Sequence, residues 1–300
     1  MHMKKKLRGS LCLLMGTVIW GSAFIAQSVG MDYIGPFTFQ AIRCALAVLF
    51  LIPLSFLFEL KNFSREEFIT KWLDPRLWKI GAVCGTALFV ASGLQQIGLV
   101  YTTPGKAGFI TAMYIVLVPV LGLFLGRRPP VMIWISVGLA TAGLYLLSCV
   151  GVSEINRGDV YMLGCALAFA VQITLIDRLT GDLDGIRLNC VQSLVCSALS
   201  AVFMLATETV DIGNILACWL PLGYAGILSM GVAYSLQIIG QRDVEPAGAS
   251  LIMSLESAFA VVFAWLLLKQ TMTPAETFGS LLVFAAVLIS QFPEKKKRHD

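Results

Sequence analysis

The sequence predicts an all-α integral membrane protein, with ten transmembrane helices arranged as two inverted five-helix repeats and both termini in the cytoplasm. Three observations support this prediction: an apolar composition, a series of membrane-length apolar stretches, and an internal repeat. Of the 300 residues, 57% are hydrophobic and 13% are charged, and the mean hydropathy is +0.81. Because soluble domains carry about 25% charged residues, this composition favours a chain that lies in lipid over a soluble helical bundle.

Ten apolar stretches lie between the charged and turn-forming segments. Each has about 20 residues, the length that an α-helix needs to cross a bilayer. The long connection Phe58–Arg76 is charged, and we expect a surface turn or short amphipathic helix there. The ten predicted helices are Leu11–Val29, Pro36–Leu57, Leu77–Leu99, Pro104–Leu125, Val131–Val150, Asp159–Asp177, Arg187–Leu205, Leu216–Ile239, Ala247–Leu268 and Pro274–Gln291.

The distribution of basic residues predicts the orientation. With a cytoplasmic N-terminus, 18 of the 22 Lys and Arg residues fall in inner segments, among them the basic C-terminal tail. Only Lys106, Arg157 and Lys269 fall outside, and Arg43 lies within the second helix. This bias follows the positive-inside rule and places the chain in the cytoplasmic membrane. The net charge of +4 therefore reflects topology and contact with anionic lipid, and we expect no nucleic-acid partner.

An internal repeat relates the two halves of the chain. The stretch Leu94–Leu125 aligns without gaps with the stretch that begins at Leu236, and pairs such as Gly98 and Gly240 are identical. A looser match aligns Gly9–Ala47 with a segment that begins at Gly158.

These matches predict two five-helix units, residues 1–150 and 151–300. Because five is odd, the second unit enters the membrane from the opposite side. Inverted repeats of this kind recur in secondary transporters.

Five motifs, taken in order, resemble the drug/metabolite transporter superfamily, EamA type. They are MGTVIWGSAF at Met15–Phe24, Arg43 early in helix 2, TTPGKAGFITAMYIVLVPVLGLFL in helix 4, SLESAFAVVFAWLLL in helix 9, and the spaced small and apolar residues of Gly279–Ile289. The resemblance implies transport of small solutes, often export of amino acids, other metabolites or drugs, without ATP.

One feature departs from this resemblance. The family often carries a glutamate in the turns after helices 4 and 9, whereas these turns here read Gly126-Arg127-Arg128-Pro129 and Leu268-Lys269-Gln270-Thr271. No role of that glutamate can therefore be assigned to this chain.

Motifs for other chemistries are missing from the sequence. There is no G-x-x-x-x-G-K-[ST] phosphate-binding loop, the only histidines are His2 and His299 in the tails, and the eight cysteines form no C-x-x-C pair. We therefore expect no cofactor, no metal site and no enzymatic activity. An uncoupled channel or a membrane scaffold that transports nothing is the alternative to a transporter.

Glu256 is the first candidate site residue. It lies about nine residues into helix 9, or about 14 Å deep at 1.5 Å per residue. Acids within a membrane tend to face a cavity and to be functional. Glu256 could carry a proton in exchange for substrate or bind a substrate amine; it could also only link helices. Its repeat partner Tyr114 could bind substrate or only pack.

Four further residues complete the candidate set. Arg43 could be a counter-ion or bind a substrate carboxylate, or its long side chain could snorkel to the outer surface. Gln95 and Gln237 recur at one repeat position, and buried amides in lipid must find partners. Trp20 could form a cavity wall or only pack.

Helices 4 and 9 are rich in small residues, and Pro119 could kink helix 4. We expect these two helices to line the path of a small-molecule substrate. Alternate exposure of the site by rocking of the halves and static packing remain the two possibilities. The small residues around Gly279 indicate either packing within the chain or a dimer face, so we expect a monomer or a homodimer.

Overall fold

The computed structural model describes residues 2–59, 65–148, 156–269 and 273–291, and every regular element in these ranges is a helix. The elements are α1 (His2–Met31), α2 (Pro36–Glu59), α3 (Arg65–Trp72), α4 (Pro75–Leu99), α5 (Pro104–Ala112), α6 (Tyr114–Phe124), α7 (Val131–Ser148), α8 (Arg157–Leu179), α9 (Gly185–Thr207), α10 (Ile212–Ala217), α11 (Trp219–Gly223), a π-helix (Tyr224–Ala233), α12 (Tyr234–Gln241), α13 (Pro246–Met253), α14 (Leu255–Leu268) and α15 (Pro274–Gln291). The predicted basic tail Lys295–Arg298 and the turn residues Gln270 and Thr271 lie outside the described residues.

Eight helical segments among the described residues are long and apolar enough to cross a membrane, and two shorter apolar helices accompany them. The shorter two are Val131–Leu147 and Pro274–Ser290. Each of the ten predicted stretches overlaps one of these segments, and the charged connection contains the short helix α3, as expected. Large apolar side chains such as Leu49 and Val160 are exposed on the surface, as suits side chains that face lipid.

The predicted helices 4 and 9 are each broken near the middle. The first divides into α5 and α6 at Met113, and the second divides into α13 and α14 at Ser254. Both residues have ψ near zero, −10° at Met113 and −16° at Ser254. The hydroxyl of Ser254 donates to the carbonyl of Leu251, a bond that tends to bend helices.

Pro119, the residue expected to kink helix 4, lies inside α6 and is not the site of this break. The break falls six residues earlier, where the backbone N–H of Met113 donates to Ile110 instead of continuing the regular pattern. Aligned by the internal repeat, the breaks at Met113 and Ser254 lie one residue apart.

The predicted helix 8 contains a π-helical stretch that continues into α12. A π-helix spaces its hydrogen bonds by five residues and often occurs at functional sites. Asn189 of α9 stabilises this stretch, because its amide lies 2.8 Å from the carbonyl oxygen of Met230, 2.9 Å from that of Gly231 and 2.9 Å from the hydroxyl of Ser235. Its own side-chain oxygen accepts from Gln192.

Helices of the first half of the chain pack against helices of the second half. Two pairs join equivalent helices of the two halves, α2 with α9 and α7 with α15. The other contacts correspond to each other when the two halves are aligned. Helix α1 packs on α12 and α14 of the second half, and its counterpart α8 packs on α4 and α6 of the first half.

Close glycine contacts hold two of these helix pairs together. A Cβ atom built on Gly9 would lie 2.7 Å from the carbonyl oxygen of Gly240, and one on Gly158 would lie 2.8 Å from that of Gly98. These are the four glycines that the repeat alignment pairs. Small residues of this kind let helix backbones approach closely in a membrane.

The glycine of the last helix packs within the chain. A Cβ atom on Gly279 of α15 would lie 2.5 Å from the carbonyl oxygen of Gly143 in α7. Of the two expectations for this face, the structure therefore uses Gly279 for packing inside one chain.

The α7–α15 contact predicts different effects for two glycines on one helix. Gly143→Ala should destabilise the protein by about 1–3 kcal/mol, because the added methyl group meets backbone that has to shift. Gly138→Ala, which has open space around it, should be neutral or stabilising by up to about 1 kcal/mol. Thermal unfolding in detergent micelles compares the two, and equal stabilities would contradict the contact.

Asn189→Leu should destabilise the π-helical stretch. The substitution keeps the size of the side chain but leaves buried carbonyl groups without a donor, at a cost of about 1–3 kcal/mol each. The control is Ser200→Ala on the same helix, which removes only a bond within α9. Thermal unfolding should place Asn189→Leu well below this control, and a similar melting temperature for both variants would show that Asn189 does not stabilise the stretch.

Candidate functional site

A central cavity lies inside the bundle and is lined by residues from both halves of the chain. Its free volume is about 40 Å³, which holds a few water molecules. The six candidate residues from the sequence all lie on its wall. The complete lining is Trp20, Phe24, Gln27, Arg43, Gln95, Thr111, Tyr114, Phe169, Ile173, Ser229, Tyr234, Gln237, Met253 and Glu256.

Glu256 and Tyr114 form a direct contact between the two halves. Tyr114 is the first residue of α6 and Glu256 the second of α14, so both follow the helix breaks. The Tyr114 hydroxyl donates to Oε1 of Glu256 over 3.0 Å. Within the described part of the chain Glu256 makes no ion pair. The N-terminal turn of α14 favours negative charge at this position.

Arg43 is buried inside the bundle. Its exposed fraction is 2%, so the alternative of a side chain that snorkels to the outer surface does not agree with the structure. Its Nη1 donates to Oε1 of Gln27 over 2.5 Å, and its guanidinium lies 5.7 Å from the ring centre of Phe39. Arg43 shares the cavity with Glu256, but its described hydrogen bond is to Gln27. Its Nε has no hydrogen-bond partner among the described residues.

The remaining candidates, Trp20, Gln95 and Gln237, pack against neighbouring side chains, and two of them also have polar atoms without a hydrogen-bond partner among the described residues. The ring of Trp20 meets that of Tyr234 edge-on, with centroids 5.0 Å apart. The side chain of Gln237 donates to Oε1 of Gln172 over 3.2 Å, and Gln95 is buried on the cavity wall. In the described structure, Nε1 of Trp20 and Oε1 of Gln237 lack partners. Buried polar atoms are normally satisfied, so these atoms are available to a ligand or to water.

Sequence reasoning missed several polar residues of the cavity. Thr111 lies three residues before Tyr114, and Tyr234 three residues before Gln237. Residues three apart share one face of a helix, so this spacing could have identified both. Ser229 lies in the π-helical stretch, where the regular helical spacing does not apply. Among the described residues, no group of three His, Cys, Asp or Glu side chains could hold a metal ion.

The EamA-like transporter family model matches residues 7–149 and, a second time, residues 156–292. The chain belongs to the EamA-like transporter family. Its two matched regions contribute all fourteen side chains of the central cavity.

Similar proteins are also named as transporters. This EamA protein is 33% identical to an uncharacterized transporter of Archaeoglobus fulgidus, over 95% of this chain and 86% of that protein. It is 27% identical to the threonine/homoserine exporter RhtA of Escherichia coli K12, over 93% and 89%. A solved crystal structure shares the fold, with a TM-score of 0.78 at 15% identity over 94% and 96% of the chains. The chain is therefore a multi-pass membrane transporter.

Proposed function

We propose that this EamA protein is a secondary transporter that exports small metabolites, such as amino acids or drugs, across the cytoplasmic membrane by alternating access coupled to protons. The observation that carries the proposal is the contact between Tyr114 and Glu256. It joins the two halves of the chain at a buried cavity, just after matching helix breaks. A carboxyl group in this place can exchange a proton for a ligand.

The proposed architecture is ten transmembrane helices in two inverted repeats, residues 1–150 and 151–300, with both termini in the cytoplasm. The exchange of helix pairs, the matched breaks and the two family matches support it. The ion pairs agree with the proposed sides. Arg8 with Asp243 and Arg76 with Asp182 join segments of the inner side. Lys106 with Asp159 joins segments of the outer side.

The proposed cycle uses Glu256 for proton and substrate in turn. When the cavity opens inward, the carboxylate of Glu256 binds a substrate amine. When it opens outward, a proton takes the place of the amine and releases the substrate. Because one carboxylate cannot hold both ligands, the two move in opposite directions. The small free volume of the cavity supports a closed arrangement from which the walls must separate to admit substrate.

The proposed substrate class is zwitterionic amino acids. One acid, Glu256, and one base, Arg43, share the cavity, and the free Nε of Arg43 suits a substrate carboxylate. The similar protein RhtA is named as an exporter of threonine and homoserine, so these two amino acids are the first to test. A cationic drug would need Glu256 alone, and an organic anion would depend on Arg43.

Glu256→Gln should fold and insert but lose proton-driven transport. Proteoliposomes preloaded with unlabelled threonine and given labelled threonine outside measure counterflow, with and without a pH gradient. Wild type should accumulate label saturably and respond to the gradient. The variant should lose at least about tenfold of the gradient-driven rate, because an amide neither carries a proton nor balances an amine.

The control for this experiment is Glu276→Gln. Glu276 caps α15 and does not line the central cavity, so its variant should behave as wild type. If Glu256→Gln still transported threonine in response to the pH gradient, Glu256 would not be the residue that couples transport to protons. Movement of label without saturation or exchange would indicate an uncoupled channel, and no movement above empty vesicles for any candidate substrate would indicate a scaffold.

Arg43→Lys tests whether transport needs only a positive charge at this position or also the planar guanidinium group. Lysine keeps the charge but loses the planar group that reaches Gln27 and stacks near Phe39. We expect the KM for threonine to rise about tenfold, which corresponds to about 1.4 kcal/mol. The KM for 1-amino-2-propanol, which has the amine but no carboxylate, should not change. Normal threonine transport by Arg43→Lys would show that a simple positive charge is sufficient.

A further inference from the structure

A second cavity, here called the inner vestibule, lies between the end of α6, the turn that follows it and the start of α13. Its free volume is about 280 Å³, and its lining includes Val118, Arg127, Arg128, Glu245 and Ala247. It therefore has more room than the central cavity, and it contains both acidic and basic side chains.

The inner vestibule and the central cavity share two helices. In α6, Tyr114 faces the central cavity and Val118 the vestibule, about 6 Å further along the helix axis. In α13, Met253 faces the central cavity and Ala247 the vestibule, about 9 Å apart. A ligand in the vestibule would thus lie next to the central cavity, on the side where the positive-inside rule places the cytoplasm.

Two charges of the inner vestibule are not neutralised by the protein. Arg127 forms an ion pair with Asp177, so its charge is already balanced. Arg128 and Glu245 are exposed. Neither side chain makes a hydrogen bond or an ion pair within the described part of the chain. A free guanidinium and a free carboxylate at one cavity match the two charges of a zwitterion.

The internal repeat shows that Glu245 is not explained by helix capping. Its repeat equivalent is Thr103, whose hydroxyl accepts from the backbone N–H of Lys106 and caps α5. Glu245 precedes α13 with a similar extended backbone but makes no capping bond. Short side chains are preferred at this position. Glu245 therefore makes no capping hydrogen bond, and its carboxylate lies at the cavity.

We propose that the inner vestibule is a second binding site for zwitterionic amino acids, where Arg128 binds the carboxylate and Glu245 the amine before the substrate moves to the central cavity. The proposal rests on the proposed export function and adds the order in which the substrate occupies the two cavities, starting from the cytoplasmic side. In the sequence alignment of the two halves, Glu245, Arg127 and Arg128 correspond to Thr103, Lys269 and Gln270, which include no acid. Among these aligned positions, an acid and a base therefore occur together on the side from which an exporter loads and not among their counterparts.

Binding in detergent micelles tests the site without transport. Saturation-transfer difference NMR measures binding of L-threonine to the full chain carrying Glu256→Gln, which disables the central cavity for amines. The signal should persist in this background and fall at least about threefold when Arg128→Gln or Glu245→Gln is added. Lys269→Gln in the same background is the matched control and should leave the signal unchanged. Equal signals in all four proteins, or no signal in any, would overturn the proposal.

Two analogues of threonine assign the roles of the two residues. Loss of Glu245 should abolish binding of 1-amino-2-propanol, which lacks the carboxylate, and spare 3-hydroxybutyrate, which lacks the amine. Loss of Arg128 should have the opposite effect. All of these signals should fall as salt rises, because exposed charges are screened. If both substitutions act alike on both analogues, the assigned roles are wrong.

Transport measured from each face separates this proposal from the proposed function. In proteoliposomes of defined orientation, Arg128→Gln and Glu245→Gln should raise the KM for threonine several-fold at the cytoplasmic face only, with Vmax and outer-face KM unchanged. An unchanged KM at both faces would overturn the vestibule site while transport stands. If these variants lost binding in micelles while wild type showed no counterflow, the vestibule would be confirmed as a binding site and the proposed export function would be wrong.

Discussion

One buried carboxyl group, that of Glu256, sets the main physical constraint on the centre of this bundle. Glu256 lies in an apolar bundle, where an acid costs about 2.5–3.5 kcal/mol on insertion scales, and its described partner is the hydroxyl of Tyr114 in the other half of the chain. Both residues begin a half-helix, because the helices that carry them are broken at matching places. The helix breaks, the hydroxyl of Tyr114 and the surrounding cavity together offset the cost of burying Glu256. The hydrogen bond between Tyr114 and Glu256 also connects the two halves of the chain.

The sequence predicts the helices and the site residues for a physical reason. Lipid excludes polar groups, so a few polar residues in long apolar stretches stand out, and the internal repeat relates Tyr114 to Glu256 directly. All six of these candidates line one cavity. Their partners depend on how the helices pack, and the direct partner of Arg43 proved to be Gln27 rather than Glu256.

Two backbone features could not be predicted from local sequence. The break at Met113 involves no residue that breaks helices by itself, and the nearby Pro119 lies inside α6, six residues after the break. The π-helical stretch depends on donors from Asn189, which is remote in sequence and comes close only after α9 packs against it. The helix breaks fall at nearly matching positions of the two aligned stretches, whereas the side chains at aligned positions differ. Tyr114 aligns with Glu256 and Thr103 with Glu245, so the two halves carry different chemical groups at aligned positions.

The glycine contacts bear on how fast the two halves can move. Where large side chains interdigitate, they must change rotamer before one helix slides past another. At Gly9 with Gly240 and at Gly98 with Gly158, a glycine of one helix lies against the carbonyl oxygen of the other, and these glycines have no side-chain rotamers to rearrange. Steric friction at these glycine contacts is therefore lower than where side chains of both helices interdigitate.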